Sequence, residues 1–375
     1  MEIAKNANDS TKAGPKKEKE SLPYDLIPEI LTRVPFEYLH TCRLVCKDWE
    51  SIIHESSFMQ LHSERTRTIS GFFIQRIVSN RFRKSFISLY QSPNILQPSI
   101  DFLPEDVRIM ASSRHGLLCC VSEQIQEGRI GKYWQIPRYY ICKPVTKEWR
   151  QIPNPKTRYF TERVALVVQS SKPLHYKLVR FSWPRHTMSY LQCEIFNSDS
   201  WTWKRSENIP LPDLALLLPG PGVLIQGEIH WLTTENSIFA FNTDSESWRM
   251  IALPREGPNY LNGHDRVYVD ITEFKGKLAL IYSNNVWMEL WAMENHSEEI
   301  WERKQAVSFS RALQTEYPFF SLLALYATEI LLLNCAYDFI WYNFENDTYT
   351  DEMKWDYLTP QTALPFESDL VPCNM

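Results

Sequence analysis

The sequence predicts a small N-terminal all-α helical bundle followed by a large all-β domain, built as a closed β-propeller of five or six blades. Three observations lead there. Between residues 21 and 62 apolar side chains recur at the 3-4-3 spacing of one helical face. From residue 70 onward the pattern changes to period two, in short runs split by turn residues. A hairpin-like motif then returns several times, which marks an internal repeat. The composition agrees. A chain of 375 residues favours two units, and aromatic enrichment, with 13 tryptophans, leans towards strands.

Residues 1–20 are polar, with Lys12, Lys16, Lys17 and Lys19 clustered, and read as a disordered solvated tail. Residues 21–65 form the helical unit. Leu26, Ile27, Ile30, Leu31 and Val34 lie on one helical face, and Pro35 stops that helix because it lacks an amide and clashes with the preceding turn. Pro28 is tolerable only within a first helical turn. A second stripe runs Leu39, Cys42, Val45, Cys46, Trp49, Ile52, Ile53, and Phe58 and Leu61 follow after a break at 55–57. Roughly forty residues is near the lower limit for independent folding, so much of this apolar surface needs a partner.

The β-domain is expected over residues 70–355, with roughly twenty short strands at near-regular spacing. Phe196-Asn197-Ser198-Asp199-Ser200-Trp201-Thr202-Trp203-Lys204 aligns with Phe241-Asn242-Thr243-Asp244-Ser245-Glu246-Ser247-Trp248-Arg249. A third copy runs from Tyr342-Asn343 to Tyr349, a fourth from Cys142 to Trp149-Arg150, and a weaker one ends at Trp301. The polar middle suits a turn, and the closing ring offers a packing face. Units of roughly forty to fifty residues match a propeller blade. A sandwich of unrelated hairpins is the alternative. Residues 356–375, with Pro360 and Pro365 and several acids, read as a C-terminal tail.

Several function classes are disfavoured. A net charge of −5 is not the basic field that phosphate neutralisation needs, so no nucleic-acid partner is expected. No apolar segment resembling a signal peptide lies near the start. The best membrane candidate, residues 319–344, is broken by Glu329, Asn334 and Asp338 and reads as core strands, so no membrane partner is expected. Eight scattered cysteines form no compact framework, which points to reduced thiols in the cytoplasm and/or nucleus.

The helical segment resembles an F-box. Leu22-Pro23, Ile30-Leu31 and Val34-Pro35 match that family's opening marks, and Arg43-Leu44-Val45-Cys46-Lys47-Asp48-Trp49 matches its second half. The remainder is similar to the kelch-like F-box-associated domains of plant F-box proteins. It carries Gly116-Leu117-Leu118-Cys119, Pro144-Val145-Thr146-Lys147-Glu148-Trp149, Tyr176-Lys177-Leu178-Val179-Arg180 and Gly227-Glu228-Ile229-His230-Trp231-Leu232. It departs from true kelch repeats in lacking any Gly-Gly pair. By this resemblance the F-box docks on a Skp-type adaptor, which bridges to a cullin and a RING subunit of an SCF-type ubiquitin ligase. The β-domain selects an unknown protein substrate for ubiquitination. The adaptor-binding residues implied are Leu22, Pro23, Leu26, Ile27, Ile30, Leu31, Val34, Pro35, Leu39, Val45, Cys46 and Trp49. The competing reading is that these residues form only the unit's own core.

No phosphate loop, dinucleotide fingerprint or nucleophile elbow is present, and neither catalysis nor a cofactor is expected. Cys42 and Cys46 stand four apart without a second pair, so packing outweighs a metal. Cys119 and Cys120 point to opposite faces of a strand. His230 reads as a strand residue. Arg180, Arg185 and His186 flank Trp183, either as an ordinary loop or as a grip for acidic peptides. Nothing in the sequence assigns substrate-binding residues. Two further classes stay open: a protein-binding module that engages the adaptor without delivering a substrate, and a propeller hydrolase or lectin, which would need a convergent polar pocket in the channel.

Overall fold

In a computed structural model the described residues are 26–34, 36–66, 68–78, 81–88, 97–122, 137–171, 173–184, 189–210, 216–254, 267–326, 328–335, 338–354 and 362–373. The sequence expectations for residues 1–20, Leu22, Pro23, Pro35, Arg185 and His186 fall outside them.

The helical unit comprises α1 (Leu26–Leu31), α2 (Phe36–Arg43), α3 (Lys47–His54) and α4 (Ser56–Thr66). Pro28 falls in the first turn of α1, where its missing amide has no carbonyl partner to lose. The second apolar stripe is cut at Leu44 and Val45, whose amides close a turn on Thr41 and Cys42. Leu31, Leu39, Ile52, Ile53, Phe58 and Met59 fill the core of the unit.

Six antiparallel sheets follow. β1 (Ile69–Val78) pairs with β2 (Arg81–Ser88). The next four strands, β3 (Arg108–Ser112), β4 (Leu118–Ser122), β5 (Arg138–Lys143) and β6 (Glu148–Ile152), form a four-stranded meander. The same plan repeats in β7 (Phe160–Ser171), β8 (Leu174–Trp183), β9 (Tyr190–Asn197) and β10 (Thr202–Pro210). It repeats again in β11 (Val223–Ile225), β12 (Glu228–Leu232), β13 (Ser237–Asn242) and β14 (Trp248–Ala252). The fifth sheet is β15 (Tyr268–Phe274), β16 (Lys277–Ser283), β17 (Trp287–Asn295) and β18 (Ile300–Ser308). After a short helix, α5 (Arg311–Glu316), come β19 (Ser321–Tyr326), β20 (Ile330–Cys335), β21 (Asp338–Asn343) and β22 (Thr348–Lys354). The architecture is a six-bladed β-propeller, the upper of the two blade numbers expected.

The described part of the segment expected to be a C-terminal tail, residues 362–373, is not one. It contains β23 (Thr362–Ser368), which pairs with β1 from Ile69↔Ser368 to Gln75↔Thr362. This closes the ring by joining the first and last strands of the β-domain in one blade. Pro365 sits opposite Phe72 in that pairing. It is tolerated because β23 is an edge strand with one unpaired side. Beyond it, Lys143 grips Asp369 and donates to the Val371 carbonyl at 2.6 Å, and the Cys373 amide donates to Glu148 at 2.9 Å.

The internal repeat is the hairpin between the third and outermost strands of a blade. Its opening residue and its closing ring face each other directly: Cys142↔Trp149, Phe196↔Trp203, Phe241↔Trp248 and Tyr342↔Tyr349. The repeated asparagine side chain accepts amides two or three residues on: at Asn197 from Asp199, at Asn242 from Asp244 and Ser245, at Asn295 from Ser297 and Glu298, and at Asn343 from Glu345 and Asn346. Four residues after each asparagine the backbone turns left-handed, at Trp201, Glu246, Glu299 and Asp347, with φ between 53° and 56°. The copy that starts at Cys142 has Lys143 in place of asparagine but keeps this turn at Lys147.

Core clusters lie between neighbouring blades and alternate along each strand. Leu118 and Cys120 pack on one side of β4 while Cys119 and Val121 pack on the other, as their period-two spacing requires. Arg180 is not in a loop. It lies on β8, fully buried, and its guanidinium contacts Glu194 at 2.5 Å, also fully buried. Arg180 Nε also donates to the Tyr139 hydroxyl at 2.8 Å, which ties the second four-stranded blade to the first.

Candidate functional site

The helical unit is welded to the ring. α4 ends at Thr66 and β1 begins at Ile69. Leu31, Leu39 and Ile53 share a core with Phe72, Ile74 and Ile87 of the closing blade and with Leu332, Phe339 and Trp341 of the last one. Arg65 braces α4 against α1 by contacting Glu29 at 2.7 Å and donating to the Thr32 hydroxyl at 2.7 Å. The Arg33 and Arg65 guanidiniums hold the Glu29 carboxyl below its ordinary pKa. His62 Nε2 lies 2.8 Å from the Val34 carbonyl.

The expected adaptor face divides on this frame. Leu31 and Leu39 are 0% and 2% exposed, so they are core residues and cannot touch a partner. The physical reason is the propeller, which covers a face that the isolated helices would leave bare. Ile27, Val34 and Trp49 are half-buried against the same cluster. Leu26, Ile30, Val45 and Cys46 are exposed. Leu44 and Tyr38, which the spacing argument missed, are exposed too, Leu44 at 83%. The signal that could have found Leu44 is its place beside Val45 in the break between two helices. Five of the fifteen large apolar side chains exposed among the described residues fall within residues 26–45. Scattered apolar residues are normal on a surface; this concentration is not.

The second feature is the channel mouth beneath the helices. A cavity of about 320 Å³ is lined by Arg43, Ile53 and His54 of the helical unit and by the innermost strands of the blades. Glu273 is held between Arg43 at 3.7 Å and Arg114 at 2.6 Å. Desolvation pushes the Asp270 carboxyl up to about 6 and raises that of Glu367 as well. Desolvation, followed by the charges of Arg43, Arg114 and Lys275, brings His54 down to about 3. The polar groups that a channel enzyme would need are therefore near one another. Here, however, both arginines are taken up by Glu273, the Glu367 Oε2 and His54 Nε2 atoms are buried without a hydrogen-bond partner, and the cluster lies under the helices. The Ser113 hydroxyl is occupied within its own turn, accepting from the His115 and Leu117 amides.

The far end of the ring differs. Phe160 and Tyr268 open the innermost strands β7 and β15, Phe319 precedes β19, and Val286 sits in the β16–β17 turn. All four are exposed, and strand direction puts them at the end opposite the Lys275-Gly276 turn, which faces Lys47 and Ser51 of α3.

Comparison with known proteins agrees with both halves. A family model described as the F-box associated beta propeller domain matches residues 74–351, and an F-box domain model matches residues 20–61. F-box protein At5g49610 of Arabidopsis thaliana is 28% identical over 300 residues, covering 76% of this chain and 79% of its own. F-box protein At5g41720 of the same plant is 36% identical over 171 residues, covering 44% of this chain and 89% of its own. F-box protein At5g03970, also from Arabidopsis thaliana, is 26% identical and covers 93% of this chain and 88% of its own. With a helical F-box ahead of a closed six-bladed ring, and with the family model spanning most of that ring, the chain belongs to the F-box proteins that carry an F-box-associated β-propeller domain.

Proposed function

We propose that this chain is the substrate-recognition subunit of an SCF-type cullin–RING ubiquitin ligase working in the cytoplasm and/or nucleus. Its F-box seats on a Skp-type adaptor, which carries the cullin and RING subunit, and the far end of the propeller holds the target protein. One observation carries the reading: Leu26, Ile30, Tyr38, Leu44 and Val45 are exposed although the core of the unit is already filled by Leu31, Leu39 and Ile53. Full burial of one such side chain contributes roughly 1.5–3 kcal/mol, so five that start half-exposed supply on the order of 5 kcal/mol before association costs. The chain contributes placement and no chemical step. A shared core between F-box and ring fixes the distance from adaptor to target, which raises the effective concentration of a target lysine near activated ubiquitin.

The alternative is a binding module that engages the adaptor without delivering a substrate. Reconstitution with adaptor, cullin, RING subunit and conjugating enzyme separates the two. The ligase reading expects a protein from plant extract to be ubiquitinated in a manner that Phe319→Glu and Tyr268→Glu abolish. An assembled complex that transfers ubiquitin to no protein through this chain favours the alternative.

A further inference from the structure

β12 opens with Glu228 and carries His230 two residues on, so both side chains project from the same face of the strand. His296 lies in the β17–β18 turn of the next blade. His230 Nε2 is 3.4 Å from His296 Nε2, Glu228 Oε2 is 3.5 Å from His296 Nε2, and Glu228 Oε2 is 3.8 Å from His230 Nε2. A tetrahedral ion with ligands about 2.1 Å away separates its donor atoms by about 3.4 Å, so these three atoms already stand close to three corners of such a site. His230 is fully buried, and its Nδ1 donates to the Val223 carbonyl at 3.1 Å. That bond fixes the tautomer and leaves the Nε2 lone pair facing the other two donors, which is how metal-ligating histidines are commonly oriented.

We propose that Glu228, His230 and His296 form a divalent-cation site, suited to zinc, that clips the two adjoining blades together. Two imidazoles and a carboxylate suit a borderline ion such as Zn²⁺ or Co²⁺ better than a hard one. The side chains of Glu228 and His296 are 17% and 23% exposed, so the fourth position opens to solvent and takes water. Arg249 guards the site. Its Nη2 donates to His296 Nδ1 at 2.8 Å and to Glu228 at 3.2 Å, and its Nη1 contacts Glu299 at 3.1 Å. While Arg249 holds Nδ1, the ring proton of His296 sits on Nε2 and points at His230. Metal binding moves that proton to Nδ1 and frees the Nε2 lone pair, and the guanidinium shifts onto Glu299. The protein gains and loses no proton in this exchange.

The test is titration of the full chain with Zn²⁺ alone, in a Cys42→Ser, Cys46→Ser background that removes the thiols of the F-box. The expected result is one-to-one binding with a raised Tm, lost in His296→Gln and in His230→Gln, and at least tenfold tighter in Arg249→Gln. Because His230 is buried, the partly exposed His296 variant is decisive if His230→Gln fails to fold. Co²⁺ should give a tetrahedral visible absorption that His296→Gln abolishes. Binding that persists in His296→Gln, or the absence of binding in both the Cys42→Ser, Cys46→Ser chain and its Arg249→Gln derivative, overturns the proposal.

Discussion

Replacing Glu194 with alanine tests whether the propeller is held by the buried ion pair in its second four-stranded blade. Both Glu194 and Arg180 are 0% exposed. The carboxylate accepts from Arg180 Nη1 at 2.5 Å, from the Thr157 hydroxyl at 2.5 Å and from the Thr157 amide at 3.0 Å. Arg180 keeps its other contacts, to Tyr139, Thr161, Ser182 and the Tyr159 carbonyl, so it cannot leave for solvent without breaking them. Glu194→Ala therefore strands a buried cation and a backbone amide. Breaking such a pair from one side costs about 3–5 kcal/mol. That is a large share of the roughly 5–15 kcal/mol that stabilises a typical domain. Urea denaturation should show the midpoint falling by about 1 M or more. Adding Arg180→Met should recover part of the loss, because the cation left unpaired is then gone. A Glu194→Ala variant within about 1 kcal/mol of the wild type, below the range for breaking a buried pair, would refute the reasoning.

Other consequences follow from the same structure. Trp203 is 4% exposed and its indole donates to the Pro153 carbonyl at 2.6 Å, whereas Trp149, at the matching repeat position, is 42% exposed. Trp203→Ala should cost about 3–5 kcal/mol and Trp149→Ala about 1, and equal losses would contradict the contrast in burial. Gly116 has φ +75° and an added Cβ would lie 2.2 Å from Ser368 Oγ. Gly116→Ala should therefore push β23 from the ring and lower stability by roughly 2 kcal/mol, and an unchanged melting temperature would show that β23 does not close against that turn. The His54 pKa of about 3 lies below its unfolded value, so the unfolded chain binds more protons below pH 6.5. Its contribution to stability is complete above that pH and is lost as pH falls towards 3. Asp270, raised to about 6, acts in the opposite sense, so the informative quantity is the wild-type drop in urea midpoint between about pH 7.5 and pH 5 compared with that of His54→Asn. The variant should drop less, and an equal drop would contradict a buried neutral His54.

What was legible in the sequence was chemistry confined to a few consecutive residues. The Asn242 side chain caps its own turn and Trp248 pairs directly with Phe241, so one hairpin carries its whole pattern in eight residues and the repeat betrays the blades. The break at Glu55 and the place of Pro28 were legible for the same reason. What escaped depended on distant partners. β23 looked like a tail because Pro365 argues against a strand, and its pairing partner β1 lies nearly the full chain away. Leu31 looked like a docking residue because helical spacing identifies an apolar face without saying what covers it. The propeller covers Leu31 and leaves Leu44 bare. Arg180 looked like a loop cation because Glu194 and Tyr139 reach it only once the blades stack.

The most direct test of the account is adaptor binding by three forms of the full chain. Wild type should form a one-to-one complex with a Skp-type adaptor. Leu44→Asp, at an exposed position, should keep the wild-type melting temperature and lose the complex. Leu31→Asp should lose the complex because a charge in that core unfolds the F-box, and its melting curve should show this. A well-folded Leu44→Asp chain that binds the adaptor as tightly as wild type would contradict the claim that the exposed F-box face is the docking surface.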